Sequence, residues 1–149
     1  METKVQNEWI DTGFGFPVKL TNVTMIKVRG NWTPKLDYNA LAINVLKALT
    51  HKHSRLTGNE IKFIRTYFEM TLQAFAKRFC VTHVAVMKWE RTQASTTVMN
   101  WTTEKDVRLF VLAKLSVKSS ELASLYNELE RLPREKASPL RLDAKHIAA

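Results

Sequence analysis

Two periods divide this chain. Over residues 14–33 apolar positions alternate with polar ones: Phe16, Val18 and Leu20 make one run, and Thr24, Ile26 and Val28 another. A repeat of two in β-branched sequence predicts strands, with turns at Thr21-Asn22 and Gly30-Asn31. Pro17 has no N–H to give a ladder, so its strand begins there or lies at an edge. Residues 1–12 show neither period and are expected to be poorly ordered, with Trp9 and Ile10 as anchors. From Asp37 the spacing turns helical. Asp37 is placed to cap, and Tyr38, Leu41, Ala42, Val45, Leu46 and Leu49 recur three and four apart to about Thr50. His51-Lys52-His53-Ser54-Arg55 reads as a polar, solvated link. Thr57-Gly58-Asn59-Glu60 is a capping box, with Thr57 as cap and Glu60 reaching back. Ile61, Ile64 and Phe68, with Phe63 and Tyr67 beside them, make the helix that follows.

Residues 92–101 are rich in Thr and Ser and predict a loop. Thr102 or Thr103 caps a helix that is apolar on nearly every side, from Val107 through Leu115. Ser119-Ser120 opens a last helix with the stripe Leu122, Leu125, Leu129 and Leu132. Pro133 and Pro139 are expected to end regular structure, leaving a mobile basic tail. So much apolar helix surface predicts a homodimer, with the pair of C-terminal helices as the main contact and the N-terminal β element as a second candidate surface.

The segment from Met70 to Arg91 carries a more specific pattern, that of a helix-turn-helix. Thr71 can cap a helix on which Leu72, Phe75, Ala76 and Phe79 form one face. Ala76 is small where a second helix must cross closely. Cys80-Val81 is the turn, and Thr82 can cap the next helix. Val81, Val86 and Trp89 point to the core, which leaves His83, Val84, Met87 and Lys88 facing outward, where a recognition helix meets base edges.

At these residues the chain resembles the lambda-repressor-like, Xre-type helix-turn-helix family. Thr71 stands for that family's Ser, Phe75-Ala76 and Val81-Thr82 match, and so do Val86, Trp89 and Glu90. Two positions depart: Leu72 sits where the family often has Gln, and Cys80 replaces the turn Gly, which predicts a turn with no need for positive φ. The stretch Arg-Leu-Thr-Gly-Asn-Glu-Ile-Lys-Phe-Ile-Arg at 55–65 is similar to antitoxin-type regulators of the MqsA/HigA group, without the four-ligand zinc module, since the chain has one Cys. The resemblance implies a dimer that binds a palindromic operator on double-stranded DNA as a repressor. In the antitoxin subgroup it also implies repression of the protein's own operon and a partner toxin. It implies a structural salt bridge between Arg65 and Glu90, and a DNA-facing set of Thr71, Gln73, Thr82, His83, Val84, Met87, Lys88 and Arg91. The alternative is a protein-interaction module on the same scaffold, binding a protein such as a toxin.

Composition adds less. The chain has 149 residues, 45% of them hydrophobic and 25% charged, as in soluble globular proteins. No stretch reaches the ~20 apolar residues of a membrane span, and the N-terminus lacks a signal-like apolar run, so cytoplasmic residence is expected. The net charge is +9, which favours polyanions. Within residues 70–91 the only acid is Glu90, against Lys77, Arg78, Lys88 and Arg91. His51 and His53, or Cys80 and His83, lack the further ligands of a metal site. Glu104 and Asp106 read as first-turn residues favoured by the helix dipole. No catalytic constellation and no cofactor motif is present, so no enzyme is expected. The fold class that follows is mainly α, with five to six helices: residues 1–54 a β-hairpin plus helix, 55–101 the helix-turn-helix domain, 102–132 dimerisation helices and 133–149 a flexible basic tail.

Overall fold

The computed structural model describes residues 2–115, 118–130 and 137–147. They fall into two compact units, Met1–Val45 with Pro139–Ala149, and Leu46–Ser138.

The first unit is built on strand β2. Four strands form its sheet: β1 (Thr3–Asp11), β2 (Val18–Val28), β3 (Asn31–Pro34) and β4 (Leu140–Asp143). β1 runs antiparallel along one side of β2, from Thr3 opposite Ile26 to Asp11 opposite Val18. The other side of β2 is shared. β4 pairs parallel with Val18–Thr21, and β3 pairs antiparallel with Met25–Val28. Between these two stretches sits Asn22, at a left-handed φ of 54°. Its amide donates to Asp143 Oδ1 at 3.2 Å, and Thr21 Oγ1 donates to the Leu142 carbonyl at 3.4 Å. The inward residues change parity there: Val18 and Leu20 are buried before Asn22, Val23 and Met25 after it.

This unit corrects several expectations. The fold is mixed α/β, with 49% helix and 23% strand among the described residues, rather than mainly α. Residues 1–12 are not an irregular lead: β1 occupies most of them. It went unread because only one of its faces lies against buried partners and most of its residues are polar. Regular structure also returns after Pro139, as β4 and a short 3₁₀ turn at Ala144–His146 with Ala144 and Ile147 buried. A four-residue strand is recognisable only beside its partner, here about 120 residues away in sequence. Thr21-Asn22 is a kink inside one strand and not a turn between two. The hairpin turn is Arg29-Gly30, both at positive φ (50° and 82°), the backbone that matches the twist of a two-residue hairpin.

Helix α1 (Tyr38–His51) leads from the first unit into the second. Asp37 Oδ1 accepts the backbone N–H groups of Asn39 and Ala40, each at 3.1 Å. The second unit continues with α2 (Gly58–Tyr67), α3 (Leu72–Arg78), α4 (His83–Arg91), α5 (Trp101–Lys114) and α6 (Ser119–Glu128). Aromatic rings join three of them: Phe79 lies 4.7 Å from Phe75 and 5.3 Å from Phe110, and Phe110 lies 5.6 Å from Phe68. α5 begins at Trp101 after Asn100, earlier than the threonines at 102 and 103 predict, and no side chain caps it.

The C-terminal helices cover each other. Leu112, Leu125 and Leu129 are buried in one cluster, with Trp101, Leu109 and Leu122 against it. The apolar surplus from which a dimer through α5 and α6 was expected is therefore internal. Leu132 and Pro133, expected to close this stripe and end it, lie outside the described residues.

The least expected feature is a buried set of charges. Lys52 donates to both oxygens of Glu60, at 2.9 and 2.7 Å. Arg55 Nε donates to Glu104 Oε1 at 2.9 Å, and another Arg55 nitrogen donates to the Met99 carbonyl. Arg108 reaches Glu104 Oε2 at 2.7 Å and donates to the carbonyls of Thr50, Lys52 and Ser54 at 3.3, 2.5 and 2.8 Å. Burial pushes the Arg108 guanidinium below its ordinary pKa, and the Glu104 carboxylate opposes that shift. Among the described residues no buried side-chain nitrogen or oxygen lacks a partner. The segment 50–56 is thus bolted to α5 and is not a solvated link, and Glu104, in the first turn of α5 as expected, is a buried counter-ion.

Candidate nucleic-acid interface

Three threonines set the helices of this region. The side chains of Thr57, Thr71 and Thr82 accept the N–H groups of Glu60, Ala74 and Ala85 at 3.2, 3.0 and 3.2 Å. Each satisfies a donor the helix itself leaves open. Glu60 completes the capping box by accepting the Thr57 N–H at 2.9 Å, while also holding Lys52. Phe75, Ala76, Val86 and Trp89 are buried, so the short helix α3 and α4 pack through small and apolar faces.

Cys80 ends α3 in the left-handed region, at φ 58°. The turn therefore keeps the conformation for which Gly is suited, and the expectation of a turn without positive φ is corrected. A side chain there costs about 1–2 kcal/mol, offset in part by the greater unfolded-state freedom of Gly, about 0.5–1 kcal/mol. Cys80 is exposed, so its side chain adds little packing. Cys80→Gly should raise stability by about 0.5–1 kcal/mol. A lower melting temperature in calorimetry would mean the thiol contributes packing that outweighs the strain.

Arg65, late in α2, fixes the end of α4. Its Nε and a terminal nitrogen donate to the two oxygens of Glu90 at 2.6 and 3.0 Å, and a third donates to the Met70 carbonyl at 3.0 Å. Both partners are largely buried, with side-chain exposures of 14% and 12%. The Glu90 hydrogen bond holds the Arg65 guanidinium above its ordinary pKa. Closer still is Gly58, the first residue of α2. A Cβ there would lie 2.3 Å from the Trp89 carbonyl oxygen, 2.6 Å from Thr92 Oγ1 and 2.8 Å from the Gln93 nitrogen. The backbone bonds from Gly58 N–H to the Ser95 carbonyl (3.3 Å) and from Asn59 N–H to the Gln93 carbonyl (3.0 Å) need this approach.

On the outside of α4, His83, Val84, Lys88 and Arg91 are exposed and Met87 is half-buried. At about 100° per residue these five span an arc of about 140° opposite Val86 and Trp89. The only carboxylate on α4, Glu90, is turned aside onto Arg65. Thr71, Gln73 and Thr82 are exposed at the helix starts or in the first turn of α3. Lys77 and Arg78 are exposed in the last turn of α3, Arg78 pairing with Asp106 at 3.1 Å. The face is cationic with an apolar patch at Val84, which is 46% exposed.

Sequence reasoning overlooked Lys52, Arg55 and Arg108, which carry the segment leading into α2. Arg108 left a signal: it interrupts the apolar run Val107–Leu112 and lies four residues after Glu104. Among the described residues, no group of three or more His, Cys, Asp or Glu is placed to hold a metal, and His51 instead bonds Glu128 at 2.8 Å. Nor is any described helix long and apolar enough to cross a membrane. No known protein family, curated protein or solved structure matches the chain.

Proposed function

We propose that this protein is a cytoplasmic, dimeric, sequence-specific DNA-binding regulator acting as a repressor, with α4 in the major groove. One observation carries the reading: α4 presents His83, Val84, Lys88 and Arg91 outward while its one acid is sequestered by Arg65. A phosphate backbone repels an exposed carboxylate on such a helix and attracts the lysine and arginine. Thr71, Gln73, Thr82, Lys88 and Arg91 serve the phosphates, which position a protein without reading sequence. His83, Val84 and Met87 are the base-facing set. His83 hydrogen-bonds a purine edge, while Val84 and Met87 suit thymine methyl groups. In a dimer the two recognition helices sit about 34 Å apart on a palindrome. The antitoxin version adds a toxin partner encoded beside this chain.

The test is binding to duplex DNA from upstream of its own gene, measured across salt concentrations. Lys88→Ala should weaken binding to all sequences and flatten the salt slope by about one unit per half-site. His83→Ala or Val84→Ala should relax base preference by about 1–3 kcal/mol per lost contact. If selection from random duplexes returns the same sequence for the His83 and Val84 variants as for the parent, α4 is not the reading element. The exposed Val84 beside half-buried Met87 favours the second reading, a protein-binding face. Salt-insensitive binding to a protein, with no DNA binding, would support it.

A further inference from the structure

The sheet of the first unit ends on an edge that complements itself. β1 pairs with β2 on one side, and no described strand pairs with its other side. Nine residues of ladder are left open there. Free edges in proteins are commonly short, or blunted by charge or proline. This one is long and, beside Lys4, Glu8 and Asp11, carries two exposed apolar side chains, Val5 at 66% exposure and Ile10 at 60%.

The two faces of β1 follow from its partners. Residues directly opposite in an antiparallel pair share a face. Lys4, Gln6, Trp9 and Asp11 stand opposite Met25, Val23, Leu20 and Val18, all buried, and so share the inner face. Thr3, Val5, Glu8 and Ile10 share the outer one. Both sets change parity at Asn7, where the ladder to β2 is interrupted beside Asn22. Val5 and Ile10, an odd number of residues apart, therefore lie on the same face.

We infer that β1 is a homodimer surface, on which β1 of a second copy adds antiparallel across a twofold axis between Asn7 and Glu8. Val5 then lies opposite Ile10 of the second copy, Gln6 opposite Trp9, and Lys4 opposite Asp11, and each pair occurs twice. Every one of these pairs joins like faces. An axis one residue earlier, between Gln6 and Asn7, also matches faces, but sets Val5 against Glu8, Ile10 against Thr3 and Lys4 against Trp9. It would bury the apolar pair against polar groups and leave Lys4 without an acid. An extended peptide from another protein would use the ladder by β-augmentation, but nothing about it would require that Val5 and Ile10 be spaced to meet each other. The inference deepens the dimer in the proposed function by naming its surface.

The experiment uses the full chain in a Cys80→Ser background, so that the native thiol cannot cross-link. The double variant Val5→Cys/Ile10→Cys should form a disulfide-linked dimer under mild oxidation, because those positions face each other across the axis. Neither single variant should. Ile10→Lys, at an exposed position, should leave the fold unchanged by circular dichroism and raise the dimer dissociation constant in sedimentation by about tenfold or more. A dimer that forms normally with Ile10→Lys, a cross-link from Val5→Cys alone, or a parent protein that stays monomeric at micromolar concentration would each overturn the inference. DNA binding is a separate readout. If it fails while the cross-link forms, the reading of α4 falls and this surface stands.

Discussion

Replacing Glu104 with Gln is expected to lower stability by about 3–5 kcal/mol, the range for removing one partner of a buried ion pair. Glu104 is fully buried, and its two oxygens serve Arg55 and Arg108, with the Leu56 N–H at 3.3 Å as well. Without the carboxylate, two guanidinium groups remain beside each other, and the depression of the Arg108 pKa by burial loses its main opposition, leaving only the more distant Glu60. Such a loss is a large share of the ~5–15 kcal/mol of a typical domain. The melting temperature should fall by more than about 10 °C. Arg108→Met should not rescue Glu104→Leu. Arg108 also holds the carbonyls of Thr50, Lys52 and Ser54, which an apolar pair would leave unserved. A Glu104→Gln protein that melts within 3 °C or so of the parent, by calorimetry, would mean that water relieves this cluster.

Gly58→Ala is the second large effect. The added methyl meets the Trp89 carbonyl oxygen at 2.3 Å and the Gln93 nitrogen at 2.8 Å, both backbone atoms at the end of α4. No rotamer change relieves a backbone clash. Either α2 or α4 must move, at a cost of about 2–3 kcal/mol, within the range for overpacking. The displaced element is the proposed reading helix, so binding to the preferred DNA sequence should fall further than stability alone accounts for. Asn59→Ala, one residue on, is the control. It keeps the backbone N–H that bonds the Gln93 carbonyl and should cost less than about 0.5 kcal/mol. Equal DNA affinity for Gly58→Ala and parent at a temperature where both are folded would break the link between this contact and the position of α4.

Much of the second unit was legible along the chain, for a local reason. A cap acts over three residues, so Thr57, Thr71 and Thr82 announce their helices in sequence, and Glu60 its capping box. The buried faces of α3 and α4 follow from a 3.6-residue repeat. The Arg65–Glu90 pair was reached only through the resemblance to a family pattern, since nothing in a 25-residue separation dictates contact. The outward set on α4 is geometry of a single helix and was legible for the same reason as the caps.

What tertiary structure alone decided has one physical character: the partner lies far away in sequence. β4 is four residues of modest strand propensity until Val18–Thr21 offers it a ladder. β1 is mostly polar until β2 satisfies one of its edges. Lys52, Arg55, Glu104 and Arg108 look solvated, because water is the default surrounding of a charge. They become a buried framework only where α5 brings Glu104 and Arg108 against the segment 50–56. The sequence by itself determined the helices, the caps of α1 to α4 and the outward face of α4, through interactions that close within a turn or two. The sheet and the buried charges waited on contacts that no local pattern encodes, whereas the left-handed turn at Cys80 closes locally, through Cys80 N–H to the Lys77 carbonyl and Val81 N–H to the Ala76 carbonyl.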